Sequence, residues 1–282
     1  MKIGFIGAGR VGFTMGKYLT EHGCMVTGYF SRTPEHAMEA AKFTDTNYYE
    51  DVRELIKNSD AVILTVSDNA ISSVFESISM LPELAGKIVC HTSGATSSLV
   101  FNCNTCQVYG YSIHPIYAIS DKHKSYKNFS NAFITIEGSP EHLDEIVVLF
   151  RDTGLKVGVT SPDSKMKYHA ASVYVSNLVC GLFGAGIELL KECGFDEESA
   201  VTALGPLFRD NAIGAYENGP VNQLTGPLER NDISTVSGHL DVLDGNKKEL
   251  YIAASKEVLS LAEKKNPERD YGEMKDLLMP VE

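Results

Sequence analysis

Two histidines are the side chains in this sequence that are best suited to proton transfer. His114 stands before Pro115 and directly after an apolar segment, and His169 lies near the start of a long apolar stretch. An imidazole titrates near neutral pH, so either histidine could supply a proton while a carbonyl or imine receives a hydride. Ser93 could hold the reacting oxygen or nitrogen together with His114. Structural roles stay open, because His114 could pin a turn and His169 could be a satisfied core residue.

The first twelve residues predict the element that would bind a hydride-carrying cofactor. Ile3, Phe5 and Ile6 indicate a buried strand, and the turn at residues 7–12 (GAGRVG) leads from it into a helix. In a dinucleotide fold the first glycine permits the tight turn, the second lets the backbone approach a pyrophosphate, and the third lets helix and strand pack closely. The helix start then offers unpaired N–H groups to the phosphates. The alternative is a turn of the same shape that binds no ligand.

The end of the second predicted strand, at residues 25–30, indicates which cofactor is bound. Ser31-Arg32-Thr33 follows that strand. An NAD enzyme places Asp or Glu here to bind the ribose 2′-hydroxyl, whereas hydroxyl groups around a guanidinium suit a 2′-phosphate. We therefore predict NADP. Ser31 and Thr33 could also merely cap the helix that opens at Pro34.

Strands alternate with helices along residues 1–160, which predicts an α/β fold with a doubly wound parallel (Rossmann) sheet. Further strands are expected at 60–66, 87–91, 108–113, 133–137 and 156–160, with helices at 70–84 and 140–152. Ligands of such sheets bind beyond the carboxyl ends of the strands, although Ser67 and Asp68 could instead cap the next helix. The predicted cofactor-binding residues are Gly7, Ala8, Gly9, Arg10, Val11, Gly12, Ser31, Arg32, Thr33, Val66, Ser67, Asp68, Ser93 and Gly94.

The second part of the chain is predicted to be helical. From Ser161 the apolar residues follow a helical period through Leu190, and Gly194 provides the stop. Such a helix has about thirty residues and is about 45 Å long. Because its apolar residues lie on all sides, we expect it to be buried within a helical domain or across a dimer interface. The sequence thus predicts a Rossmann domain (1–160), a helical substrate and dimerisation domain (161–282), and a homodimer.

One face of this long helix is predicted to complete the active site. At about 100° per residue, Lys165, His169 and Ser176 share a face, while Lys167 lies almost opposite and Asn177 lies at the edge. The helix leaves the sheet directly after the last strand, so its first turns should lie near the strand ends. His169 is therefore the better candidate to assist protonation, and Asn177 could orient the remainder of the substrate.

Composition excludes several other classes of protein. The formal charge of −12 and the lack of a clustered basic stripe argue against nucleic acid or an anionic membrane surface as the main partner. We expect no signal peptide and no apolar run long enough to span a bilayer, and hence a cytoplasmic protein. Its six cysteines would be reduced there. Cys103 and Cys106 form a single C-x-x-C without nearby histidines, so we predict no metal site.

With these features together, the chain resembles NADP-binding oxidoreductases that carry a 6-phosphogluconate-dehydrogenase-like C-terminal domain. Within that group it looks most like Rossmann-like proteins whose C-terminal half is a domain of unknown function. Pyrroline-carboxylate reductases and β-hydroxyacid dehydrogenases are similar in architecture. The matching stretches are 93–95 (SGA), 113–115 (IHP), 168–171 (YHAA) with Ser176 and Asn177, and 224–227 (LTGP) with Arg230 and Asp232.

The resemblance implies hydride transfer to or from a small carbonyl, hydroxyacid or imine. It also favours a role for Arg230 as a clamp on a substrate carboxylate or phosphate, although this residue could equally be paired or solvated at a helix start. One departure matters: β-hydroxyacid dehydrogenases place Asn four residues after a catalytic Lys, whereas Lys167 is followed there by Ala171. Their mechanism therefore does not transfer intact. The other function that the sequence allows is an NADP(H)-binding sensor without turnover.

Overall fold

The computed structural model describes residues 1–104 and 106–279. The chain forms two compact units, Met1–Val175 and Ser176–Glu282. The division falls inside the long helix rather than at the predicted boundary of 160/161, because the first turns of that helix contact the sheet through Lys165 and Tyr168.

The first unit is built on a sheet of eight strands within the described residues. The strands are β1 (Lys2–Ile6), β2 (Met25–Phe30), β3 (Asn47–Tyr48), β4 (Ala61–Leu64), β5 (Ile88–His91), β6 (Tyr109–Ile116), β7 (Phe133–Gly138) and β8 (Lys156–Val159). Their spatial order is β3-β2-β1-β4-β5-β6-β7-β8. The helices are α1 (Arg10–Glu21), α2 (Pro34–Thr44), α3 (Val52–Lys57), α4 (Ile71–Ser79) and α5 (Leu143–Asp152), with 3₁₀ turns at Asp68–Ala70, Pro82–Leu84, Ser98–Phe101, Ser125–Asn131 and Pro162–Ser164.

This topology confirms the doubly wound α/β fold. The central strands read as continuous apolar runs because helices cover both faces of the sheet, and every residue of β4 is buried. Two clusters of buried side chains lie on the two faces, one around Phe5 and Phe150 and the other around Leu55 and Leu84.

The sheet is not wholly parallel, however. Strand β7 runs antiparallel to β6, with Ser112 opposite Glu137 and His114 opposite Thr135. The segment between these two strands contains only a 3₁₀ turn (Ser125–Asn131) and no α-helical crossover, so the chain returns beside β6 in the opposite direction.

His114 therefore lies inside strand β6, not in a segment after it as the sequence indicated. Pro115 is tolerated there because β5 ends at His91, which pairs with Ser112, so this end of β6 has no partner strand on its other side.

The long helix α6 (Lys165–Glu192) begins in the first unit, and the second unit continues with shorter helices around a small core. Its core contains Leu228, Val236, Leu259 and Met274. The remaining helices are α7 (Glu197–Asn218), α8 (Pro220–Gln223), α9 (Pro227–Arg230), α10 (Ile233–Val242), α11 (Gly245–Lys265) and α12 (Gly272–Leu277).

The residues of helix α6 are exposed or half-buried, with one exception. Within Lys165–Glu192, all of which the structure describes, Lys165 is the one buried residue. Tyr174 is 66% exposed and Val175 is 79% exposed. The stretch Pro162–Glu192 is also apolar and long enough to cross a membrane by length and composition, so the expectation that no run reaches that length was wrong. A helix at a subunit interface can have the same length and apolar composition. The exposure of α6 excludes the expectation that it is buried within one copy of the chain.

Candidate functional site

A cleft of about 940 Å³ opens at the carboxyl ends of β1, β2 and β4. Its floor is the glycine turn between β1 and α1, and its walls come from the ends of β2 and β4 and from helix α4. This is the edge at which open parallel sheets bind their ligands. The lining residues include nine of the predicted cofactor-binding residues: Gly7, Ala8, Gly9, Arg10, Ser31, Arg32, Thr33, Val66 and Ser67.

The three glycines of the turn differ in what surrounds them. Gly7 has a φ of +104°, and a Cβ there would lie 2.8 Å from the carbonyl oxygen of Thr65. A Cβ on Gly12 would lie 2.6 Å from the Thr65 hydroxyl. On Gly9 the nearest atom would be that same carbonyl oxygen at 3.8 Å. Gly7 and Gly12 are therefore required by the fold, whereas the bare surface of Gly9 is free to meet a ligand.

The first turn of helix α1 is open to an anion. Gly9 is its N-cap residue and provides no side-chain hydrogen bond, and the first turn contains no acidic residue. Because the first N–H groups of a helix lack partners within the helix, they and the helix dipole favour a phosphate at this point. The turn thus fits the pyrophosphate of a dinucleotide.

The end of β2 carries positive charge into the same cleft. Arg32 is exposed and forms no ion pair with any described residue. Thr33 is the N-cap of α2, but its side chain makes no capping hydrogen bond, so the capping alternative is not realised through its hydroxyl. His36 and Lys122 also line the cleft, and sequence reasoning missed both. Lys122 comes from the segment between β6 and β7. No local sequence pattern indicates that this segment lies near α2.

The other predicted cofactor-binding residues lie outside this cleft. Val11 and Gly12 belong to helix α1, where Gly12 packs against Thr65. Asp68 is exposed in the 3₁₀ turn, whose N-cap Ser67 makes no side-chain capping bond. Ser93 and Gly94 instead lie at a second cluster of polar residues, beyond the end of β5.

Gly94 is the centre of this second cluster. A Cβ on Gly94 would lie 2.5 Å from Nδ1 of His169 and 3.0 Å from Nε2 of His114. The two imidazole rings are 6.2 Å apart between centroids and cross at 75°. The structure thus brings the two predicted histidines together, and it does so over a residue that has no side chain.

His114 is held from its other side by two hydroxyl groups. The Tyr168 hydroxyl contacts Nδ1 of His114. The Thr135 hydroxyl donates to Tyr168 over 2.7 Å. Thr135 lies opposite His114 in the β6–β7 ladder, and Tyr168 lies on α6 one residue before His169. Sequence reasoning gave Tyr168 and Thr135 no role, since only the antiparallel register reveals this arrangement.

A buried lysine lies beside these rings. Lys165 is 2% exposed, and its ammonium group donates to the Ser112 hydroxyl over 2.5 Å. Ser112 in turn donates to the Ser93 carbonyl oxygen over 3.2 Å. Burial lowers the pKa of Lys165 to about 8, although the charges of Glu137 and Asp68 oppose this effect.

Burial also keeps two histidines uncharged. It lowers the pKa of His114 to about 4, with Lys165, His169 and His91 adding to the effect. It likewise lowers the pKa of the fully buried His91 to about 4. His114 is therefore neutral at physiological pH and does not titrate near neutrality as the sequence suggested.

The Ser93 hydroxyl is engaged in its own loop. It accepts hydrogen bonds from the backbone N–H groups of Ala95 and Thr96, at 3.2 and 2.9 Å. Its own proton remains available to a neighbouring acceptor. Glu137, opposite Ser112 in β7, is 1% exposed and accepts from the backbone N–H and the hydroxyl of Ser98.

The last two predicted site residues belong to the second unit. Asn177 is exposed on α6, and Arg230 is exposed at the end of α9. Asp232 caps α10 by accepting from the backbone N–H and the hydroxyl of Thr235, which lowers the pKa of its carboxyl group. Asp232 therefore has a structural role at the start of α10. Roles for Asn177 and Arg230 in a site stay predictions.

The fold and the cleft define a class of protein: a Rossmann-like chain with an oxidoreductase-like fold. Residues 2–93 match the family described as NADP oxidoreductase, coenzyme F420-dependent. Residues 132–258 match a domain of unknown function, DUF2520. The two family models thus match separate parts of the chain, one in its N-terminal and one in its C-terminal region.

Solved structures of known proteins share this architecture. Protein TM1727 from Thermotoga maritima is 22% identical, with a TM-score of 0.72 over 93% of this chain and 99% of that chain. A putative NADP oxidoreductase from Bacteroides fragilis is 23% identical, with a TM-score of 0.66 over 92% and 98%. A pyrroline-5-carboxylate reductase from Coxiella burnetii is 18% identical, with a TM-score of 0.59 over 93% and 97%. No curated protein matches the chain.

Proposed function

We propose that this protein is an NADP(H)-dependent oxidoreductase that transfers a hydride to or from a small carbonyl, hydroxyacid or imine. The observation that carries the proposal is the cleft itself, in which the open start of α1 and the unpaired Arg32 face the same space. The helix start suits a pyrophosphate, and the guanidinium suits a 2′-phosphate with its planar fork of donors. The family match over residues 2–93 supports the same cofactor.

The polar cluster at Gly94 supports an enzyme rather than a passive binder. When bound, the cofactor supplies or accepts the hydride. In the direction of reduction, the electron pair of the substrate double bond moves to its oxygen or nitrogen, which then takes a proton. We propose that Ser93 and His114 hold this atom by hydrogen bonds and that His169 gives it the proton. Hydrogen bonds from buried side chains to the charge that develops on the reacting atom are stronger than the same bonds made in water.

Turnover distinguishes an enzyme from a sensor. NADPH consumption is followed with a panel of small keto acids and cyclic imines, for wild type, for His169→Gln and for the surface control His22→Gln, whose residue is exposed at the end of α1 and does not line the cleft. We expect at least one compound to be reduced and His169→Gln to lower turnover about a hundredfold, with NADPH affinity nearly unchanged. Tight NADPH binding without consumption of any compound would favour the sensor.

We also propose that the protein is a homodimer formed through α6 and α7. These helices expose large apolar side chains along most of their length, including Val175, Leu178 and Leu207 at 79%, 48% and 61%. Contiguous apolar surface of this kind marks an interaction site. Light scattering should show a dimer at micromolar concentration, and Leu178→Lys should shift it toward monomer, whereas Met80→Lys on the first unit should not. A monomeric wild type would contradict the proposal.

We propose that the protein is cytoplasmic, a compartment in which its six cysteines would be reduced.

A further inference from the structure

The charged side chains that line the cleft below the glycine turn are all basic. Arg10, Arg32 and Lys122 line it, and none of the described residues around it is acidic. The whole chain has 37 acidic and 25 basic residues, so this surface differs from the rest of the protein. A cleft lined by one sign of charge concentrates ligands of the opposite sign. The proposed function uses the helix start beside Arg10 and the guanidinium of Arg32, but it gives Lys122 no role.

Lys122 reaches the cleft from the segment between β6 and β7. Its ammonium nitrogen lies 4.7 Å from the centre of the ring of Phe13, which is in the first turn of α1. The same nitrogen lies 2.7 Å from each carboxylate oxygen of Glu39 on α2. His36 also lines the cleft and precedes Glu39 by three residues, so the two share a face of α2. The ammonium group therefore lies at the α2 side of the cleft, beside the helix that Arg32 precedes.

The segment that carries Lys122 is held in place by other residues. The ring of His123 packs edge-on against those of Phe13 and Phe43, at 5.4 and 5.0 Å between centroids. Phe129, in the 3₁₀ turn that follows, is fully buried. Since these contacts position the segment, the charge of Lys122 is not needed to anchor it.

The ion pair with Glu39 leaves Lys122 able to bind a ligand. An ammonium group has three N–H donors, and the two oxygens of Glu39 occupy two of them. The side chains of Lys122 and Glu39 are 35% and 43% exposed, and ion pairs as exposed as this contribute little to stability. Glu39 also has a second partner, since Nε2 of His123 lies 3.2 Å from its Oε1. A phosphate in the cleft can therefore share Lys122 with Glu39 or replace that carboxylate.

We propose that Lys122 is a second cation for the 2′-phosphate of NADP, beside Arg32, and helps to determine the preference for this cofactor. This deepens the proposed function and rests on it. NADP differs from NAD by a phosphate on the adenosine ribose, which dinucleotide folds bind after the second strand, where α2 begins. Arg32 and Lys122 are the lining cations at that side, whereas Arg10 opens α1 after the glycine turn. An ammonium group binds phosphate as a point charge, so Lys122 can act together with the planar fork of an arginine.

The test is calorimetric titration of NADPH and NADH on wild type, Lys122→Met and the matched control Lys124→Met. Methionine keeps an apolar stem against Phe13 and removes the charge. Lys124 lies in the same segment and pairs with the carboxylate of Asp121, but it is not among the described residues that line the cleft. We expect Lys122→Met to bind NADPH about fivefold to tenfold more weakly, because a partly exposed charge-assisted bond is lost, and to bind NADH as wild type does. Lys124→Met should bind both cofactors as wild type does.

Unchanged NADPH affinity in Lys122→Met would overturn the proposal. An equal loss of affinity for NADPH and NADH would also overturn it, because Lys122 would then act only on the structure of the cleft. Arg32→Ala and the double variant with Lys122→Met provide a second check. We expect Arg32→Ala to retain a preference for NADPH of about fivefold and the double variant to have none. Equal binding of both cofactors by Arg32→Ala alone would contradict a second cation at this phosphate.

Two fragments of the cofactor locate the contact. Adenosine 2′,5′-bisphosphate and adenosine 5′-monophosphate differ only in the 2′-phosphate, so Lys122→Met should weaken binding of the first about fivefold to tenfold and leave the second unchanged. A loss for both fragments, or for neither, overturns the proposal. Failure of the wild-type protein to bind NADPH or NADH would instead overturn the proposed function. A wild type that prefers NADPH regardless of the residue at position 122 would overturn the role of Lys122 alone.

Discussion

Replacing two glycines of the same turn by alanine should separate cofactor binding from folding. In Gly12→Ala the new Cβ would lie 2.6 Å from the Thr65 hydroxyl and 2.9 Å from the Gly7 carbonyl oxygen. These two groups hydrogen-bond each other over 2.9 Å, so neither can move freely. Overpacking of this kind costs about 1 to 3 kcal/mol. In a unit of this size the melting temperature should fall by roughly 2 to 4 °C per kcal/mol.

Gly9→Ala should have the opposite profile. Its φ of −84° and ψ of −172° are open to alanine, and its Cβ would lie 3.8 Å from the nearest protein atom, the Thr65 carbonyl oxygen. We expect stability within about 1 kcal/mol of wild type, the loss of a glycine N-cap included. The methyl group would occupy the approach of a pyrophosphate, so NADPH affinity should fall about tenfold or more, which is about 1.4 kcal/mol.

Thermal unfolding and calorimetric titration of NADPH on wild type and both variants complete this test. Gly9→Ala that binds NADPH as tightly as wild type would refute the assignment of this turn to the cofactor. A Gly12→Ala variant that is as stable as wild type would refute the packing argument.

Two pH dependences follow from the buried groups. Burial lowers the pKa of Lys165 to about 8 in the folded state. Between this pH and the ordinary lysine pKa, the unfolded state therefore binds more protons than the folded state, and the free energy of unfolding rises with pH. We expect a rise of about 2 kcal/mol between about pH 7.5 and 9.5. Urea unfolding should show this rise in wild type, and Lys165→Met should lack it; an equal rise in both would show that another group is responsible. Because the pKa of His91 is lowered to about 4, stability that is present above the ordinary histidine pKa should be lost on acidification, by about 2 kcal/mol at about pH 5. His91→Gln should reduce this loss, whereas the exposed His36→Gln should not, and a wild-type stability that stays flat from pH 7 to 5 would contradict the burial argument.

Most of the first unit could be predicted from local sequence patterns. The glycine turn, the apolar strands and the end of β2 are consecutive in sequence, so periodicity and turn chemistry were sufficient to predict them. The strand at 25–30 was predicted with the bounds that the structure has, Met25–Phe30. Strand β3 and helix α3 were not predicted, because two residues and six residues are too short for a periodic signal.

Only part of the Gly94 cluster could be predicted from the sequence. His114 and His169 were chosen for their chemistry, and their meeting was argued from strand ends. The antiparallel direction of β7, which places Thr135 beside His114, depends on pairing between distant segments and has no local signal. The burial of Lys165 was also hidden, since a lysine on an apolar helix is expected to be solvated.

The most direct test of the central claim compares NADPH and NADH by calorimetry on wild type, Arg32→Ala and the surface control Arg151→Ala. We predict that wild type prefers NADPH and that Arg32→Ala loses about 1 to 3 kcal/mol of affinity for NADPH and almost none for NADH, because a charge-assisted bond to the 2′-phosphate is removed. Arg151→Ala should bind both cofactors as wild type does. Equal affinity of the wild-type protein for NADPH and NADH would show that Arg32 does not select the 2′-phosphate.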